Sequence, residues 1–206
     1  MPVRREGTLH RIGRFIVLAS ALACASGSGT QLTDSWHEPS TTQLGFNRTL
    51  VVFMSPNASA RQMVEDRLAS RIPNSVPAYR AVPDLNQGDP AAARRQLQGQ
   101  GFDGIVAMRV VAVQQSSGEY VAGNNWYATR RDFDSFWGPS WVVVEDPGYR
   151  VEHRDVTVET RIFSLAENKL VWAGRTKTEN PKSIDHLVES AADAVGAQLR
   201  SQGLIR

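Results

Sequence analysis

One cysteine, four histidines and no apolar run long enough to cross a bilayer are what this chain of 206 residues offers, and each shortage excludes something. A lone thiol, Cys24, cannot close an internal disulfide, and a secreted fold must then stand on its core alone. Only His37, His153 and His186 follow residue 23. His186 and Glu189, three apart, are a metal pair on paper, but a closed metal site needs three or four ligands, so no metal and no cofactor is expected. No G-x-S-x-G elbow, H-E-x-x-H helix or Walker glycine loop occurs, and the reading is therefore not an enzyme. Charge of one sign is also missing. Beyond residue 23 there are 19 basic and 20 acidic residues, and a nearly neutral body has no long-range pull on nucleic acid. No repeat of 20 to 50 residues points to a solenoid. What remains, with 41% hydrophobic and 21% charged residues, is the composition of one globular domain.

The amino terminus carries its own message. Arg4, Arg5, Arg11 and Arg14 precede the apolar run Phe15 to Ala23, which closes on small residues before Cys24. This is the order of a secretory signal, covering residues 1–23. Nine residues at about 1.5 Å each fall well short of a hydrocarbon core of about 30 Å. Ser20-Ala21-Leu22-Ala23-Cys24 resembles the lipobox of bacterial lipoproteins. The resemblance implies diacylglycerol on the Cys24 sulfur, cleavage before it and acylation of the new amino group, so palmitate-type chains would hold the protein to a membrane. Ala25 in place of Asp resembles the outer-membrane sorting pattern, with the domain facing the periplasm. Ala21-Leu22-Ala23 would equally serve ordinary signal peptidase, which would leave a soluble periplasmic protein.

Residues 24–45, rich in Ser, Thr and Gly, predict a flexible tether with a root-mean-square span of about 25 Å, and a single α/β domain is expected over 46–206. Thr49 to Met54 is an unbroken apolar run, the pattern of a strand covered on both faces. A capping box at Ser59 to Gln62 and apolar positions at Ala60, Val64, Leu68 and Ile72 predict a helix over 59–72, stopped by Pro73. A short strand is expected over 76–82, a helix opened by Asp89-Pro90 and a strand over 105–113. Three strands alternating with two helices imply parallel pairing. Residues 156–162 and 170–176 read as an antiparallel hairpin with one solvated face, and Asn180-Pro181 is expected to cap a last amphipathic helix. The fold class is α/β (α+β): a mixed sheet in the order β-α-β-α-β, long insertion, β-β-α.

That order behind a lipobox resembles the compact domains of envelope lipoproteins such as the penicillin-binding-protein activator LpoB and the amino-terminal domain of TolB. Arg61 to Arg67, Gly101 to Ile105 and Lys169 to Ala173 are similar to segments of a group of small bacterial lipoproteins. The resemblance implies a job done by touching an envelope partner, and it carries no catalytic residue across.

Residues 114–150 hold eight of the sixteen aromatics in the chain. Loops this long are usually functional or disordered, and aromatics at this density argue against disorder. Trp126, Tyr127, Arg130, Arg131, Trp137 and Trp141 are the candidate partner-binding residues, because Trp, Tyr and Arg dominate interface hot spots. The same rings could instead close over the sheet as a packed lid. They could also stack on sugars, with Asn124, Asn125, Asp132 and Asp134 holding hydroxyls, which would make a glycan or peptidoglycan reader. A hydrolase is the third reading and has the least local support.

Overall fold

The computed structural model describes residues 29–83, 88–115, 130–138, 141 and 154–206; the signal segment and Cys24 lie outside this range. The described elements are β1 (Thr30–His37), β2 (Thr49–Phe53), α1 (Ala58–Ala69), β3 (Ser75–Pro77), α2 (Ala78–Ala81), α3 (Pro90–Gly99), β4 (Gly104–Gln115), α4 (Phe133–Trp137), β5 (Arg154–Ser164), β6 (Lys169–Glu179) and α5 (Ile184–Ser201). The strands form one sheet in the order β1-β6-β5-β4-β2-β3. β3, β2 and β4 are parallel, while β4, β5, β6 and β1 are antiparallel. The mixed α/β sheet expected from the sequence is what forms.

Topology explains the layering. The chain steps from β2 to β3 on one side, then returns past β2 to β4 on the other. Two crossovers of the same hand running in opposite directions must lie on opposite faces of a sheet. Accordingly α1 and α5 pack Val64, Leu68, Leu187, Val188 and Ala191 against Val51, Met108 and Val158. On the other face α2, α3 and α4 pack Ala78, Leu97 and Phe136 against Leu50, Ile105 and Phe163. β2, flanked by strands and covered on both faces, is buried along its whole length, which is what its uninterrupted apolar run required.

Several expectations are corrected. The tether over 24–45 is not a tether from Thr30 onward: β1 pairs with β6, Thr30 opposite Thr178 and His37 opposite Trp172. Its face alternation is hidden by a bulge between Leu32 and Asp34. Leu32 therefore packs on the α1/α5 side and Trp36 on the other, although four residues apart in an unbroken strand would share a face. The domain thus begins near residue 30, not 46. In α1 the cap is Asn57, whose Oδ1 accepts from Ala60 N–H at 3.0 Å, instead of Ser59. The strand expected over 76–82 stops at Pro77, and α2 follows at once. Proline has no N–H for a ladder, and its φ of −62° suits entry to a helix. The last helix starts later than expected, capped by Ser183, whose Oγ accepts from His186 N–H at 3.1 Å. Asn180 sits at φ +47° and its Oδ1 accepts from Arg154 N–H at 2.7 Å. The solvated face expected of the β5–β6 hairpin is confined to the end of β6, at Lys177 and Glu179. From Val156 to Ser164 every residue of β5 is buried.

Candidate functional site

The middle of the long insertion returns to the sheet through α4. Asp132 caps it, its Oδ1 accepting from Ser135 N–H at 2.8 Å. Phe133 N–H donates to Asn168 Oδ1 at 3.1 Å, and Leu170 N–H donates to the Arg131 carbonyl at 2.6 Å. Arg94 of α3 grips Asp134 with two N–H groups, at 3.0 and 3.1 Å. So tethered, the rings meet Phe163 of β5: Phe136 at 5.1 Å between centroids and Phe133 edge-on at 6.0 Å. Trp137 lies 4.9 Å from Phe133, and Trp141 sits edge-on to it at 5.4 Å. Offset and edge contacts of this kind add stability beyond the area that they bury.

Beside this aromatic cover lies a group whose alternation with apolar residues along β5 predicts a solvated strand face. Glu159 is 1% exposed, and its cross-strand partners are Arg109 on β4 and Arg175 on β6. Arg161, two residues along the same face, completes the set. Oε1 accepts from Arg161 Nε at 3.0 Å and from Arg109 Nε at 3.2 Å, and Oε2 accepts from Arg175 Nη2 at 3.3 Å. Phe136 covers them, with the Arg161 guanidinium 4.9 Å and that of Arg109 5.8 Å from its ring centroid. Burial alone pushes the Glu159 carboxyl up. The guanidiniums of Arg161, Arg109 and Arg175 outweigh that and hold it below the ordinary value. Burial also lowers the pKa of Arg161, against the pull of Glu159. A carboxylate held ionised with both oxygens engaged is poorly placed to carry protons for a reaction. Its visible work is to lock three adjacent strands and α4 together.

The candidate binding residues separate. Trp137 is fully buried, so its expected place in a docking surface is corrected: a ring without accessible area packs and does not touch a partner. Trp141 is partly buried against it. Arg130 and Arg131 are exposed, and their backbones are fixed. Arg130, at φ +59°, accepts through its carbonyl from Arg161 Nη1 at 2.9 Å. The Arg131 guanidinium lies 4.8 Å over the ring of Trp36, a residue of the segment expected to be a tether. Trp126, Tyr127, Asn124 and Asn125 lie outside the described residues, as does Cys24. Asp132 and Asp134, offered as sugar ligands, are occupied by the α4 cap and by Arg94. Glu189 pairs with Arg67 at 3.2 Å.

No known family and no curated protein matches this chain. Among solved structures it is similar to the PelC dodecamer from Paraburkholderia phytofirmans, at 12% identity and a TM-score of 0.45, over 86% of this chain and 99% of that one. It is also similar to lipoprotein GNA1162 from Neisseria meningitidis, at 15% identity and a TM-score of 0.37, over 75% of this chain and 98% of that one.

Proposed function

We propose that this chain is an envelope lipoprotein, anchored through Cys24 in the outer membrane and facing the periplasm, whose domain is a non-catalytic module that docks an envelope protein. The observation that carries the docking reading is the exposed Arg131 stacked on Trp36, with the exposed Arg130 next to it in the chain. Arg and Trp are the residue types that concentrate binding energy, and a fixed backbone reduces the ordering cost of association. Trp141 borders the same aromatic cover. Trp126 and Tyr127 belong to the proposed surface on sequence grounds. This reading matches the likeness to LpoB, whose work is contact with a partner enzyme.

The placement suits an anchored chain. Trp36 stands six residues beyond Thr30 in β1, about 20 Å along the strand. A partner would therefore meet the end of the sheet away from the anchor. Photo-crosslinking in living cells from positions 36, 131 and 141, with Arg95 on α3 as control, tests it. One envelope protein recurring from those three sites and not from Arg95 is the expected result. Equal capture from all four positions would sink the docking reading. Retention on peptidoglycan, lost on Trp141→Ala, would replace it with the glycan reading. Intact mass of the membrane fraction tests the anchor, with unmodified Cys24 overturning it.

A further inference from the structure

Helices α1 and α5 run side by side in the same direction. Arg67 pairs with Glu189 at 3.2 Å and, four residues further along each segment, Arg71 pairs with Asp193 at 2.9 Å. α1 ends at Ala69, whereas α5 continues to Ser201, about 12 Å beyond Asp193. The flank of α5 that outruns α1 borders a cavity of about 720 Å³, with Val106, Thr160 and Ile162 of the sheet in its lining. Spaces of this size hold small molecules.

Two lining residues work against the stability of the fold. Thr160 is 2% exposed and its hydroxyl has no hydrogen-bond partner. It stands between Val158 and Ile162 on the face under α1 and α5, where valine would fill the same space without burying an unpaired polar group. Gly196, inside α5, lowers helix stability relative to alanine. Beyond the helix's own backbone, a Cβ there would meet only the Arg200 guanidinium, no nearer than 3.5 Å. Packing therefore does not demand glycine, and the position leaves room. The one acidic side chain in the described lining, Asp193, is taken by Arg71, which leaves Arg200 without an anion in the cavity.

We propose that this cavity binds a small monocarboxylate with an apolar body and a second oxygen. The carboxylate sits at Arg200, which is exposed at the mouth, and the body lies against Val195, Leu199 and Ile162 in the room left at Gly196. The second oxygen accepts from the Thr160 hydroxyl on the floor. An unpaired hydroxyl and a helix glycine, both unfavourable to the empty fold, are what a recognition site retains against stability. The cavity lies across the sheet from Trp36, so the assignment stands apart from the docking reading.

Titration of the full chain, made in the cytosol and kept free of detergent, tests this with two probe pairs. One is phenylpropionate with its para-hydroxy derivative, the other octanoate with its omega-hydroxy derivative, and amide shifts in nuclear magnetic resonance locate the site. The hydroxylated member of at least one pair should move residues 160, 196 and 200 and bind about fivefold more tightly than the bare one. Thr160→Val should erase that difference while melting no lower than wild type. Thr176→Val is the control, because the Thr176 hydroxyl is also buried and unpartnered but lies outside the cavity lining; it should leave the difference intact. Arg200→Gln should weaken every probe about tenfold. No shift around the cavity with any probe, equal binding within both pairs, or a hydroxyl preference that survives Thr160→Val overturns the proposal.

Discussion

The two faces of the sheet are built from different materials. The face under α1 and α5 is covered by helices whose Val, Leu and Ala side chains meet mainly Val, Met and Ile of the strands, with Phe53 and Trp172 the two rings among them. The opposite face is covered by shorter helices, aromatic rings and one buried carboxylate among three guanidiniums. Aliphatic packing is non-directional and tolerates repacking, whereas a buried ion set is sensitive to the loss of any one member. The first face is therefore read easily from periodicity, and the second depends on partners far apart in sequence.

The largest expected effect comes from breaking the ion set. Glu159→Gln leaves three buried or half-buried guanidiniums without their anion and should cost about 3–5 kcal/mol at neutral pH, measured by urea unfolding. The pH dependence has a definite sign. The folded carboxyl lies below its ordinary value, so its contribution is complete above the unfolded value of about 4.3 and is lost as pH falls through the depressed folded value. The gap between wild type and Glu159→Gln should close over that acid range. A gap that stays constant to low pH would show that packing, and not charge, sets the cost.

Glu65 supplies the opposite sign within the same protein. It is fully buried, accepts from Phe53 N–H at 3.1 Å and Tyr79 N–H at 2.8 Å, and burial raises its pKa. Its ionisation counts against the fold above the raised value, and that cost is relieved as pH falls toward the unfolded value. Difference titration of Glu65→Gln against wild type should therefore slope opposite to that of Glu159→Gln.

On the aliphatic face, Leu68→Ala should cost about 2–5 kcal/mol, and the loss should not vary with pH. A strong pH dependence there would erase the distinction between the faces. A smaller effect is expected from Gly174→Ala, where a Cβ would stand 2.2 Å from the Trp172 ring. Overpacking of this kind costs about 1–3 kcal/mol, visible as a lower Tm. Smallest is Asp132→Ala, which removes the α4 cap for about 1 kcal/mol. Hydrogen exchange should rise in 133–137 while α1 and α5 keep their protection.

Much of the fold was legible because local signals agreed with it. The apolar run at β2, the Asp89-Pro90 start of α3 and the stripe Leu187, Val188, Ala191, Val195 and Leu199 on α5 all name their elements before any contact is known. β1 was not legible, because its bulge breaks the alternation by which strands are recognised. The ion set was hidden for a subtler reason. Thr157, Glu159 and Arg161 alternate with apolar residues as a solvated strand would, and only α4, folded back from the insertion, makes that face interior. One signal was present: Arg109 interrupts the otherwise apolar run of β4, and a charge inside such a run implies a buried partner. The aromatic insertion announced its importance without announcing which rings face inward. Trp137 and Arg131 lie six residues apart, one in the core and one in solvent.

The sheet's two borders have a consequence for how copies of the chain can meet. At one border β3 is three residues long and ends on Pro77; at the other β1 carries its bulge. A short strand, a proline and a bulge each spoil the regular row of backbone donors and acceptors that another chain could extend. The sheet is therefore closed to growth by strand addition at either border, and any contact between copies would have to be made by side chains of the helices and loops.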